Sequence, residues 1–390
     1  MKKILAICLA AFCLCCCSHK TAQEPSFAVQ VSLGGWNHAH YTPDEVIGRL
    51  SEVSDKIPVT KVIIGWTIDK EAYVKIGEYL HSHGMEMYLW LPVFAETEEV
   101  CGNVPAVDLR GEVPRSFALA EDEGFRFNCP TDPGNIRNIV GIYDKYFSEC
   151  GFDGVFMDRI RTQSFVSGAS GVLNCGCQEC RQAFLREGVD LESVLEEWER
   201  KGDKFLSVSR YDPVGGFTFE SPVAEEFFSA KGRIVSGSVA TLADTFRGKG
   251  LKVGMDLYAP FMARMVGQDY GILSEHADFI KPMLYRKTEA PAGMGFEYGL
   301  LRSSIPDATG YPDIAMDVDF LDTQLDGMNC VPCGRFPGIE INYRPDIVET
   351  SPEYVLESLS AIKRHGFEGA VLSWNIMEAP TEHIECLSKL

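Results

Sequence analysis

The chain has 390 residues, 45% of them hydrophobic and 24% charged, with a formal net charge of −20. That is a globular profile, long enough for one large α/β barrel or two medium units. A surface this acidic argues against nucleic acid or anionic lipid as the main partner and suits a neutral or basic one.

Lys2 and Lys3 form a basic start, and residues 4–14 are an apolar run too short to cross a bilayer. The run ends in Leu14-Cys15-Cys16-Cys17-Ser18, which resembles a bacterial lipoprotein signal. The resemblance implies removal of residues 1–16, lipidation of Cys17, a polar tether over 17–26, and a place on a lipid anchor in a bacterial cell envelope. Residues 27–390 are then expected to fold as a single unit.

Along that unit, strand and helix patterns alternate. Residues 27–33 read as a first strand, followed by the loop Gly34-Gly35-Trp36-Asn37-His38. Thr42-Pro43-Asp44-Glu45 reads as a helix start, with Thr as N-cap, Pro in the first turn and acids beside it. Strands are expected at 59–66 and 85–94, with a helix at 69–83 between them. Residues 95–133 form a loop longer than ordinary connections, and a helix over 133–150 follows. Next comes Gly151-Phe152-Asp153-Gly154-Val155-Phe156-Met157-Asp158-Arg159-Ile160-Arg161, an apolar strand ending in charge. A buried strand tolerates such charges only where it leaves the core. Asp158, Arg159 and Arg161 are therefore expected at its C-terminal mouth.

A second long insertion carries Cys175-Gly176-Cys177-Gln178-Glu179-Cys180 and an acidic helix near 190–201. A helix over 222–247 leads into a fifth strand at 251–258. A short helix at 268–276 precedes a sixth strand at 278–285, and residues 286–334 read as irregular. A seventh strand is expected at 336–343, a helix at 351–365 and an eighth strand at 369–375. Eight strands alternating with helices predict an α/β fold, a (β/α)8 TIM barrel with long insertions after strands 3, 4 and 6.

Three acids lie near strand C-termini: Asp158, Asp256 and Glu340. Cleavage of a glycosidic bond uses two carboxyl groups facing across it, which makes Asp158 and Glu340 the first catalytic pair and Asp256 the reserve. Glu340 lies between Ile339 and Ile341, so it is either aimed into the mouth or paired with a cation such as Lys281. Lys281 interrupts an apolar strand and needs a partner of its own. Trp36, Trp66, Trp90, Tyr258, Tyr285, Tyr343 and Trp374 collect at strand ends, where aromatic faces suit sugar rings and also ordinary packing. Tyr285, Trp374, Trp36, Asn37, Arg161 and Lys281 are the expected substrate-contacting set.

The 151–161 stretch resembles the fourth-strand motif of a family of glycosyl hydrolase-like barrels, in which Asp-x-[Ile/Val]-Arg follows an apolar strand. Residues 266–269 with Ala277-Asp278-Phe279-Ile280-Lys281-Pro282-Met283-Leu284-Tyr285 are similar to that family's fifth-helix and sixth-strand signature. Over this middle third of the chain, the resemblance implies a TIM barrel, a glycoside hydrolase activity and Asp158 as a catalytic acid. Cys175-x-Cys177-x-x-Cys180-x-x-x-Phe184, with Phe127-Asn128-Cys129-Pro130, resembles the zinc cluster of family 42 β-galactosidases. This implies a structural zinc held by Cys129, Cys175, Cys177 and Cys180. Met157-Asp158 stands where those enzymes have Asn-Glu. Disulfides are the competing use of these thiols, since an exported protein permits them. Of 14 cysteines, five lie at positions 8, 13, 15, 16 and 17, and the odd remainder cannot all pair internally.

The sequence therefore reads as a carbohydrate-active barrel acting on an oligo- or polysaccharide. It implies no organic cofactor, no nucleic acid, and contact with membrane only through the anchor. A non-catalytic glycan-binding lipoprotein on a degenerate barrel is the alternative. A metal-dependent deacetylase would need a His/Asp set, and only His38 and His40 are near a strand end.

Overall fold

The structure, a computed structural model, describes residues 26–96, 102–115 and 126–390. The expected signal, Cys17, the tether up to residue 25 and Cys101 lie outside the described residues. Eight parallel strands close into a barrel: β1 (Ser26–Ser32), β2 (Val59–Gly65), β3 (Glu86–Pro92), β4 (Gly154–Asp158), β5 (Lys252–Tyr258), β6 (Phe279–Met283), β7 (Gly338–Glu340) and β8 (Gly369–Ser373). Their spatial order is 5-4-3-2-1-8-7-6, and a β5–β6 pairing joins the two ends. The fold is the expected (β/α)8 TIM barrel.

Helices follow the strands: α1 (Pro43–Ser54), α2 (Lys70–Ser82), α3 (Pro133–Tyr146), α4 (Gln178–Arg186), α5 (Leu191–Lys201), α6 (Pro222–Gly248), α7 (Tyr270–Glu275), α8 (Met294–Ser304), α9 (Val318–Asp326), α10 (Pro352–Arg364) and α11 (Thr381–Cys386). The first helix starts as its sequence requires. Thr42 caps Glu45 N–H, the Glu45 side chain returns to Thr42, and Pro43 occupies the first turn, where no N–H partner is needed. Val46, Leu50 and Val53 then bury one stripe against the barrel.

The barrel interior is filled by side chains. Ala28, Ile63, Tyr88, Phe156, Phe279, Phe336 and Val371 form one buried cluster with Trp90 above it. Phe279 is central, edge-on to Tyr88 and Phe336 and stacked on Phe156. Such bulk fits because inward positions alternate with glycine. A Cβ on Gly254 would overlap the Phe279 ring, and one on Gly338 would overlap the Lys281 side chain.

Two expectations need correction. Residues 286–334 are not irregular throughout, because they contain α8 and α9. Met294, Glu297, Tyr298 and Leu301 recur at helical spacing and are the face α8 buries. The seventh strand is shorter than 336–343. It ends at Glu340 and is preceded by a separate piece, Gly334–Arg335, also on β6. Pro337 lies between them and has no N–H for the ladder. The insertion after β4 also holds an unforeseen hairpin, Val208–Asp212 with Gly216–Phe219.

Candidate active site at the barrel mouth

The parallel register puts four residues in a row across β3 to β6. Pro92 is opposite Asp158, and Asp256 is opposite Lys281. The β4–β5 register, Gly254 to Phe156 and Met255 to Met157, makes Asp158 and Asp256 the next pair. Phe156 faces the interior and parity repeats every two residues, so Asp158 projects inward as well. Adjacent strands lie about 4.8 Å apart. Two carboxyls thus stand side by side at the C-terminal end of the barrel.

Asp158 retains 9% exposure and is held from two directions. Its Oδ2 accepts from Trp90 Nε1 at 3.0 Å, and its Oδ1 accepts from Arg159 N at 2.5 Å. Arg159 has φ +53°, the left-handed region that a bulky residue rarely occupies. That turn brings its N–H back to Asp158 and its guanidinium over the Trp66 ring at 5.5 Å, with Nε 3.7 Å from Asp158 Oδ2. Trp66 and Trp90 pack against each other with centroids 4.8 Å apart, and both are only half-buried.

Asp256 is deeper, 3% exposed. Its Oδ2 accepts from Lys281 Nζ at 3.0 Å, while Oδ1 has no hydrogen-bond partner among the described residues. Lys281 uses its remaining hydrogens on Gln30 Oε1 at 3.1 Å and Tyr285 OH at 2.6 Å. Burial pushes the Asp256 carboxyl up to about 7, against the pull of Lys281 and with a further push from Asp158. Burial alone would lower the Lys281 ammonium, but Asp256 and Tyr285 outweigh it and the group moves up. The partner Lys281 requires is therefore Asp256 and not Glu340.

Glu340 is enclosed, with no exposed surface. Its Oε1 accepts from Lys287 N at 2.6 Å, and the Tyr354 and Arg286 side chains lie nearby. Burial, only partly offset by those three groups, pushes it up to about 7. The register thus sets Asp158 beside Asp256, while Glu340, at the end of β7, is held by Lys287 N with Tyr354 of α10 and Arg286 nearby.

The expected substrate-contacting residues also divide. Tyr285 is buried on Lys281. Arg161 is buried between the rings of Phe127 and Tyr258, at 4.7 and 4.6 Å. Trp36 packs edge-on against Tyr146 and Phe147. Asn37 is exposed, and Trp374 is half-buried at the end of β8. Sequence reasoning missed Glu297 of α8, which is 1% exposed and accepts from Tyr258 OH at 2.7 Å, Ser164 Oγ at 3.0 Å and Ala292 N at 3.1 Å. One carboxyl thereby joins the loop after β4, the end of β5 and the loop after β6. The signal for it was the helical spacing around Met294.

Cys129, Cys175, Cys177 and Cys180 converge beside the mouth, with all four Sγ atoms within 4.8 Å of one another. Cys129 Sγ is 3.3 Å from Cys177 Sγ and 3.6 Å from Cys180 Sγ, and no disulfide joins them. Four thiolates about 2.3 Å from one zinc stand about 3.8 Å apart, so the donor set fits a closed tetrahedral site. Cys177 caps α4 and accepts from Cys180 N, while Thr131 Oγ1 lies 3.1 Å from Cys180 Sγ. Gly176 is needed for close approach, since a Cβ there would overlap the backbone of Asp108 and Leu109.

No protein-family model and no curated protein matches the sequence. Among solved structures, the chain is similar to the glycoside hydrolase domain of PgaB (BpsB) from Bordetella bronchiseptica, at 14% identity and a TM-score of 0.60. That likeness covers 93% of this chain and 98% of that one. A chitinase from Chromobacterium violaceum is similar at 13% identity, with 93% and 98% coverage and a TM-score of 0.45. The chain shares the (β/α)8 fold of the Bordetella domain.

The raised carboxyls give stability a defined pH dependence. An unfolded carboxyl titrates near about 4, so between there and about 7 the folded chain holds protons on Asp256 and Glu340 that the unfolded chain has released. Their contribution is complete below the unfolded value and is lost as pH rises through about 7. The melting temperature is expected to fall from about pH 5.5 to about pH 8.5, and Asp256→Asn should make that fall smaller. An equal fall in both proteins would contradict the assignment to Asp256.

Proposed function

We propose that the protein is a glycoside hydrolase that uses the Asp158–Asp256 pair as its acid. The observation that carries this reading is the register of β4, β5 and β6, which sets Asp158 beside Asp256 and Asp256 against Lys281. Burial holds the Asp256 carboxyl up to about 7, with a further push from Asp158, so the pair carries a proton on the acid side of neutrality. Asp158 is the more exposed member and touches the substrate; the pair's proton passes through it to the leaving glycosidic oxygen as the glycosidic C–O bond breaks, and the water that takes the sugar carbon returns a proton to the pair. Asp256 acts through Asp158 as a positioning residue, fixed by Lys281, which is itself fixed by Gln30 and Tyr285. Trp66 and Trp90 offer aromatic faces at the mouth for a sugar ring. The likeness to a glycoside hydrolase domain over nearly the whole chain supports an oligo- or polysaccharide substrate.

The test begins with an oligosaccharide panel. On any substrate found, Asp158→Asn is expected to lower kcat by about 10²–10⁴-fold with little change in melting temperature. Asp256→Asn should lower kcat less, leave KM unchanged and move the alkaline limb of the pH profile to lower pH. A wild-type kcat in Asp158→Asn would end the proposal. Glycan binding without hydrolysis would favour the binding-protein alternative.

The same reading includes a structural zinc on Cys129, Cys175, Cys177 and Cys180, supported by the convergence of four sulfurs with no disulfide. A closed tetrathiolate leaves no position for substrate, so its task is to join the loops after β3 and β4. About one equivalent of zinc per chain is expected by elemental analysis of reduced, purified protein. Finding these cysteines as disulfides with less than half an equivalent of metal would overturn it.

Tethering through a lipid on Cys17 completes the proposal, with support from the signal-like sequence alone. Full-length protein is expected in the membrane fraction, and a chain starting at His19 in the soluble fraction. Full-length protein that stays soluble would refute the anchor.

A further inference from the structure

Lys231 lies mid-way along α6 with 1% exposure, among the most enclosed cations described. A lysine so placed normally meets a carboxylate, because an ammonium taken out of water carries a large desolvation penalty. Lys231 meets none. Among the described residues its ion-pair distance contains no acidic side chain, and its Nζ donates to two backbone carbonyls, Val172 O at 2.6 Å and Met265 O at 3.0 Å. Its other neighbours are aromatic, with the Phe227 and Phe228 rings at 5.9 and 5.7 Å. Two carbonyl dipoles and two ring faces are weak compensation for a full buried charge.

The cysteine cluster lies next to this ammonium by two independent routes. Val172, which holds Nζ, is three residues before Cys175 on the same loop. Phe227, one turn before Lys231, stacks on Phe184 at 5.1 Å and 3°, and Phe184 is one turn after Cys180 on α4. Burial pushes the Lys231 amine well down and Arg161 adds to this, while Cys175 and Cys180 are the groups that pull it back up. Four protonated thiols would leave the ammonium unsupported. Zinc with four thiolates carries a net charge of −2, buried beside a lysine that lacks an anion.

We infer that Lys231 is the buried counter-cation of the metal tetrathiolate, offsetting half of its negative charge from the helix behind it. This rests on the zinc reading above and adds the residue that makes so charged a site tolerable inside the protein. The usual supports around such a site are hydrogen bonds to the sulfurs, which Thr131 Oγ1 and Cys180 N supply. Lys231 supplies the charge term that neutral donors cannot. It also extends the site's reach, because Met265 belongs to the loop after β5, whose Val266 O accepts from Thr162 N beyond β4.

The experiment measures zinc affinity by chelator competition on the full chain, and melting temperature with and without metal, for wild type, Lys231→Met and Lys231→Gln. Removing a supporting partner of this kind weakens metal binding by about 10–100-fold, and that loss is expected in both variants. The metal-free melting temperature of Lys231→Met should equal or exceed that of the metal-free wild type, because a buried amine without an anionic partner has left an apolar site. A lysine with only a packing role would instead lower both forms alike and leave affinity intact, and either result overturns the inference. Wild-type protein that binds no zinc defeats the zinc reading and this inference with it. Zinc-binding wild type with unchanged affinity in the variants defeats the inference alone.

Discussion

The pairing of Lys281 with Asp256 inside a closed sheet is the interaction on which the rest of the mouth depends. Neither group is tolerable alone at that depth, since an unpaired buried charge is far more costly than a paired one. Their pairing follows directly from β5–β6 register, and that same pairing closes the barrel. Closure and charge compensation are therefore one event. Gly338 belongs to it too, because only an inward position without a Cβ leaves room for the Lys281 side chain. Once Lys281 is fixed by Gln30 and Tyr285, Asp256 has one oxygen committed and one without a partner, and Asp158 is its neighbour on the next strand.

Much of this was legible in the sequence. The alternation of eight strands with helices, the three long insertions and the charged end of β4 could be read from pattern alone, because buried parallel strands leave continuous apolar runs. The convergence of the four cysteines was legible as well, since consecutive barrel loops are neighbours. Which acid would meet Lys281 was not. Asp256 and Glu340 both lie near the C-terminal ends of strands adjacent to β6, one on each side. The choice between them depends on register: Ile280 faces Arg335 and Met283 faces Gly338, so Lys281 lies opposite Phe336 and Glu340 falls past the end of β6, beside Lys287. Strand bounds read from sequence do not fix that register, so the nearer acid could not be chosen.

The helix α8 escaped notice for a different reason. Gly and Pro are dense around it, which reads as irregular structure, yet the buried face at 294, 297, 298 and 301 keeps helical spacing. Local composition and longer-range periodicity disagreed, and burial decided for periodicity. Glu297 came with that helix. An acid on a buried face of a helix looks unfavourable in sequence, and is tolerated when Tyr258 at the end of β5, with Ser164 and Ala292 from the loops after β4 and β6, supplies its donors.

The mouth is thus held together by buried polar groups placed at the junctions of loops, as well as by apolar packing of the loops themselves. Glu297 joins the loop after β4, the end of β5 and the loop after β6. The cysteine cluster joins those after β3 and β4, and Lys231 connects that cluster to the loop after β5 through Met265 O. Long insertions gain mobility with length, and a site on their rim needs them fixed in position. A few polar junctions accomplish this with specific geometry, because hydrogen bonds at low dielectric are strong and directional. The Asp158 carboxyl, oriented by Trp90 from β3 and by its own left-handed neighbour Arg159, lies between these junctions. Its orientation then reflects the combined geometry of three loops and four strands, so substitutions well away from the mouth that loosen a junction would be felt there as a change in how the carboxyl is aimed.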